Sequence, residues 1–319
     1  MMTTKFKGLE KPKKVCKDFV VKRGKTVGTR LFAKDVKLPF DQELGCLYDN
    51  NAKTKLNLHT LYISTFPGIR GKYILPNIYW GDTSLIVFDP KGEYKIESEA
   101  YLKEKGYKVI TFDFCQKLRE VPDLSVLDHI GDELTALFIV ISDVEASPVQ
   151  VQFGSALWKY LAEKPRGPIH THVILGDLFV ISGLPEMKYF SCFADNNISI
   201  TLQVHAVKAL TEEPYKYDHY IPKEHYPDLD EICSYFGIFA VGTLRDKDTE
   251  VFARKLIYAA GVDVTETYLE YKDINEIFVL IKNKKPCLTK NVYTYKDYED
   301  ILKKCLKFYK ERTKNYGRD

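Results

Sequence analysis

The chain lacks most of the features that mark the special protein classes. Its seven cysteines, Cys16, Cys46, Cys115, Cys192, Cys233, Cys287 and Cys305, are scattered, and none forms a C-x-x-C pair. That argues against a disulfide framework and a cysteine zinc site, and fits a reducing compartment. No apolar run reaches the roughly 18 residues that a membrane-spanning helix needs. The lysine-rich start has no apolar core of the signal-peptide kind. The expectation is a soluble, cytoplasmic protein with no integral membrane segment. Repeats and low-complexity tracts are absent. Neither sign of charge dominates, with 47 Lys and Arg against 44 Asp and Glu; a dedicated nucleic-acid binder would be more strongly basic. His170-x-His172 puts two imidazoles on one side of a strand, but no third ligand lies nearby, so no metal site is expected. No spacing suggests a Ser-His-Asp or Cys-His arrangement.

What is present describes an ordinary globular chain. At 319 residues, 45% of them apolar, it can build one large α/β domain or two smaller ones. Charge is uneven along it. Lys5, Lys7, Lys11, Lys13, Lys14, Lys17, Lys22, Arg23 and Lys25 crowd the start; Lys303, Lys304, Lys307, Lys310, Arg312 and Lys314 crowd the end. Such ends are solvated tails in most proteins and a surface for single-stranded DNA or acidic lipid in fewer.

The chain is organised around Leu56 to Glu93. An apolar strand leads to a Gly/Pro turn ending in Gly71-Lys72, a short helix and a second apolar strand that ends on Asp89-Pro90-Lys91-Gly92-Glu93. A strand, a glycine loop closed by a lysine and then a helix is the layout of a phosphate-binding P-loop. Pro67, Gly68, Arg70, Gly71, Lys72 and Tyr73 are the candidate cradle. The template G-x-x-x-x-G-K-[S/T] is broken twice. Phe66 stands where glycine would take positive φ cheaply, and Tyr73 replaces the hydroxyl residue that holds Mg²⁺. The competing reading is a plain strand–turn–helix connection with a solvated Lys72.

From Thr60 to Phe114 the chain resembles the type IV secretion coupling proteins of the TraG/TraD type, which move DNA and protein through conjugation channels. The resemblance rests on the loop, on Pro76-Asn77, on the complete Asp89 to Glu93 motif, and on Gly106-Tyr107-Lys108-Val109. It implies a RecA-like P-loop fold, with Asp89, Lys91 and Glu93 beside the nucleotide. It also implies ATP and Mg²⁺ as cofactors, and conjugation or type IV secretion proteins as partners. Further on, the family's Asp-Glu-Phe is replaced by Gly176, Asp177 and Leu178, followed by Gly183-Leu184-Pro185. Gly176 therefore stands at the metal-side position, and Asp177 where the family has its catalytic glutamate. The competing reading of Asp177 is an ordinary strand-end carboxylate. Gln203 ends a strand that resembles the family's sensing strand, but Ala194 to Asn197 holds no arginine finger. Val241-Gly242-Thr243 with Asp248-Thr249, and Asn275 to Pro286, complete the likeness. On this resemblance, no counterpart of the family's membrane-spanning start is expected, and its helical insert is cut to Cys115 to Leu134.

Periodicity predicts strands at 108–114, 135–142, 170–178, 198–203, 237–243 and 275–281, and helices at 97–105, 148–163, 186–195, 247–260 and 298–313. Strands alternating with helices predict a mostly parallel sheet covered on both faces. The expected organisation is an extension over 1–50, a RecA-like domain over 51–286 and a basic helical tail over 287–319. Three readings stand at this point: an accessory conjugation component with decayed ATPase motifs, a working motor with Lys72, Asp177 and Asp89 or Glu93 in its site, and a nucleic-acid-binding module. A monomer or weak homo-oligomer is expected, because no counterpart of the family's membrane segment is expected and nucleotide contacts between subunits would be weakened.

Overall fold

The structure is a computed structural model. It describes residues 6, 8–19, 21, 25–50, 52–65, 70–116, 120–141, 148–176, 188–211, 228–265, 268–269 and 273–316. In chain order the elements begin with α1 (Pro12–Lys17), β1 (Val27–Ala33), β2 (Val36–Asp41), β3 (Cys46–Asp49) and β4 (Thr54–Asn57). Next come β5 (Thr60–Ile63), α2 (Leu75–Trp80), β6 (Ser84–Pro90), α3 (Glu93–Glu104), β7 (Lys108–Asp113), β8 (Thr135–Ile141) and α4 (Pro148–Glu163). They continue with β9 (Thr171–Leu175), α5 (Lys188–Asp195), β10 (Ile198–Val204), α6 (Lys208–Thr211), α7 (Leu229–Ser234), β11 (Ile238–Val241) and α8 (Lys247–Ala259). The last are β12 (Ile277–Ile281), β13 (Cys287–Thr289) and a terminal helix, Glu299–Tyr316.

The main sheet has nine strands in the order β13-β12-β11-β5-β10-β9-β6-β8-β7. From β11 to β7 every pairing is parallel; β12 and β13 add an antiparallel edge. This is the mostly parallel α/β architecture that the alternation predicted. Its central strands are buried on both faces, which is why TALFIVI at β8 reads as one apolar run. Period-two alternation divides the core. Leu61, Ile63, Ile86, Phe88, Leu137 and Ile139 meet α4, α5 and α8 on one face. Tyr62, Leu85, Val87, Ala136 and Phe138 meet α2 and α3 on the other.

β1 to β4 form a four-stranded antiparallel sheet that buries Phe32, Leu38, Phe40 and Leu47 against the second face. These short strands alternate too briefly to stand out in the sequence. A wholly buried guanidinium, Arg30, crosses from β1 to the main sheet. It bonds His172 Nε2 and donates to Ser199 Oγ at 2.6 Å. His170 Nδ1–H donates to Asn197 Oδ1 (2.9 Å), and its Nε2 accepts from the Ser199 hydroxyl (2.7 Å). The two histidines are therefore buried hydrogen-bonding groups between the sheets. Among the described residues no group of three His, Cys, Asp or Glu could hold a metal, and no helix is long and apolar enough to cross a membrane.

Candidate functional site

Parallel register brings the strand ends of the expected site to one edge. Val204 lies opposite Ile63, Leu175 opposite Leu202, and Phe88 opposite Leu175. Ser64, Gln203, Gly176 and Asp89 therefore stand at neighbouring carboxyl ends, where ligands of open α/β sheets bind. Pro67, Gly68 and Asp177 lie outside the described residues.

Asp89 is wholly buried. It accepts the backbone N–H groups of Tyr94 (2.9 Å) and Lys95 (2.8 Å), so it anchors the start of α3. Burial pushes its carboxyl up to about 7; those two N–H bonds and Arg70 pull the other way. Lys91 and Gly92 both take positive φ, 63° and 74°, to turn the chain between strand and helix. The Lys91 N–H donates to Ile141 O at 3.0 Å, and its side chain is exposed. The helix begins at Glu93 rather than at the expected residue 97 because this turn and the Asp89 carboxylate cap it.

The end of the loop is held by protein partners. Arg70 pairs with Glu93 and, at 2.8 Å, with Glu97, and its guanidinium lies 5.4 Å over the Tyr94 ring. Burial opposes the Arg70 charge, yet Glu97 leaves its pKa above the usual value. The Lys72 ammonium donates to Ile274 O before β12, and burial lowers its pKa. Tyr73 is wholly buried: its hydroxyl meets Thr201 Oγ1 at 3.1 Å and its ring lies among Phe32 and Tyr62. Gly176 is closely lined by two side chains that would have to shift for an acid to stand there. A Cβ there would sit 3.2 Å from Ile74 Cδ1 and 3.2 Å from the Tyr94 hydroxyl. Neither position where the resemblance expects a Mg²⁺ ligand thus offers an oxygen at the sheet edge.

Gln203, 3% exposed, lies beside Gly176 and reaches His205 Nε2 at 3.3 Å. His205 Nδ1 faces Ser64 O at 2.8 Å, so the proton belongs on Nδ1 and Nε2 accepts from the Gln203 amide.

No family model matches the chain, and no curated protein matches it. Solved structures do match. The bacterial conjugative coupling protein TrwBdeltaN70, in its unbound monoclinic form, aligns with a TM-score of 0.57 at 9% identity, over 88% of this chain and 91% of that one. Its trigonal form in complex with sulphate aligns with a TM-score of 0.55 at 7% identity, over 91% and 93%. The fold is TrwB-like. At such identity the likeness concerns the path of the backbone.

On this TrwB-like frame four contributors had gone unread in the sequence. Glu97 joins Glu93 on Arg70; their i, i+4 spacing on α3 was the available signal. Tyr94 spans from Arg70 to Gly176. Tyr295 and Tyr298 press on Gly71, and nothing at a separation of more than 200 residues announces that.

Proposed function

We propose that the protein is an accessory or assembly component of a conjugative DNA-transfer or type IV secretion system, built on the coupling-protein fold with decayed nucleotide motifs. One observation carries this reading best: at the loop and at the metal side, the edge of a TrwB-like sheet is closed by Tyr73 in the core and by Ile74 and Tyr94 against Gly176. Arg70, Gly71 and Lys72 keep the means to hold phosphate. A Mg²⁺ ion would have to rely on water and phosphate oxygens. Hydrolysis depends on electrostatic stabilisation by the metal and an arginine finger, and a missing finger alone costs roughly 10³ to 10⁵ in rate. Weak ATP binding with very slow turnover follows. Partners would be other conjugation proteins, with single-stranded DNA as a further candidate through the basic ends.

The test is ATP binding and hydrolysis by the whole chain, with and without single-stranded DNA. The expected result is weak binding, abolished by Lys72→Ala, and turnover well below about 1 per second. Faster turnover that depends on Lys72, Asp177 and Gln203 would replace this reading by that of a working motor.

A further inference from the structure

We infer that Tyr298 is a positioning residue of the phosphate loop: its hydroxyl fixes the Gly71 carbonyl and so sets the direction of the Lys72 amide N–H. The inference rests on reading Arg70–Lys72 as the end of a phosphate-binding loop.

The local sequence creates the need. Arg70–Ile74 is wound as a π-type turn, in which a carbonyl is met by the N–H five residues on. Five residues after Gly71 comes Pro76, which has no N–H. The Gly71 carbonyl therefore has no backbone donor in that pattern, and Gly71 is buried, where an unpaired carbonyl is costly. Tyr298 supplies the donor, its hydroxyl 3.0 Å from Gly71 O. A trans peptide is planar, with C=O and the following N–H pointing in opposite directions. Pinning the Gly71 carbonyl toward Tyr298 thus turns the Lys72 N–H away from the C-terminal segment and keeps it presented to a phosphate.

The approach is close enough to explain the glycine. A Cβ at residue 71 would lie 2.8 Å from Tyr298 Oη and 3.2 Å from the Tyr295 ring. Gly71 is not in the left-handed region, so the requirement is space rather than φ. Tyr298 is itself rigidly held. It is 2% exposed, and its ring centroid lies 5.3 Å from that of Tyr79 and 6.2 Å from that of Trp80. Thr294 and Asp297 cap each other in the turn before it, and Asp297 pairs with Lys34 at 2.6 Å. The terminal helix then runs along α3, where Arg312 meets Glu99 at 3.1 Å and Lys304 meets Glu104. The same α3 carries Glu93 and Glu97, which hold Arg70. The C-terminal segment therefore braces both cations of the loop, one through Gly71 and one through α3.

The test uses Tyr298→Phe in the whole chain, which keeps the ring and removes only the hydroxyl. Two quantities are measured: affinity for ATP and for inorganic triphosphate by calorimetry, and amide exchange of Lys72 in the ligand-free protein. The expected result is about three- to tenfold weaker binding of both probes, the size of one hydrogen bond. Faster exchange at Lys72, with core amides unchanged, should accompany it. Equal affinities in parent and variant overturn the inference, and so does a uniform rise in exchange across the core, which would mark a packing role only. If the parent binds neither probe, the proposed function falls. Accelerated Lys72 exchange would then uphold the positioning by itself, and an unchanged rate would sink both.

Discussion

Tyr73→Thr restores the hydroxyl that a P-loop template asks for, and the structure predicts that it chiefly damages the core. The Tyr73 ring is wholly buried, with centroids 5.4 Å from Phe32 and 5.1 Å from Tyr62. Truncating a fully buried aromatic costs roughly 3–5 kcal/mol, because lost burial and a residual cavity add. Deleting the hydroxyl alone, as in Tyr73→Phe, removes one bond to Thr201 worth about 1 kcal/mol. Thr201 keeps its second partner, His172 Nε2 at 2.8 Å, so nothing buried is left unpaired on that side. Against a typical total of about 5–15 kcal/mol, the threonine variant loses a large share of the stability and the phenylalanine variant little. Urea unfolding followed by circular dichroism measures both, provided the slope with denaturant is unchanged. A threonine variant within about 1 kcal/mol of the parent would refute the reasoning. It would mean that the ring does not fill the core and that position 73 is free to face the nucleotide.

Three further outcomes are expected. Gly176→Asp should lose roughly 1–3 kcal/mol and gain no Mg²⁺-dependent turnover, since the added Cβ crowds Ile74 and the Tyr94 hydroxyl; stability and hydrolysis assays check this together. Glu97→Gln should tighten ATP binding a few-fold, measured by calorimetry, because the carboxylate competes with phosphate for Arg70. Acid should destabilise the fold below about pH 6.5. Burial pushes His59 down to about 4 and His170 to about 3, and His172 well below its usual value; Arg30 adds to the effect at all three. Their stabilisation is complete above the unfolded value and is lost as pH falls toward the folded ones, because the unfolded chain takes up the protons. Asp89, raised to about 7, acts oppositely between about pH 4 and 7, since its proton is bound in the folded state. Asp89→Asn should therefore steepen the loss of melting temperature from pH 6.5 to 5, relative to the parent.

The sequence alone determined the alternation of elements. Continuous apolar runs such as Thr135 to Ile141 mark strands buried on both faces, and the Pro148 to Glu163 helix falls where its periodicity put it. Parallel strands that lead into helices end on the same side, and the register sets Asp89, Gly176 and Gln203 at that edge. The antiparallel sheet of β1 to β4 was not legible. Its strands are short, and its apolar face is specified only by the sheet it covers. The roles of single residues were decided by tertiary structure. Asp89, which the resemblance puts beside a nucleotide, also caps a helix; Tyr73, at the place of a metal-holding hydroxyl, fills the core; Gly71, at the end of the loop, also makes room for two tyrosines. A motif records which residue stands at a position. What fills the space around that residue is set by chain segments up to 227 residues away, as Tyr298 is from Gly71, and no local pattern encodes that distance.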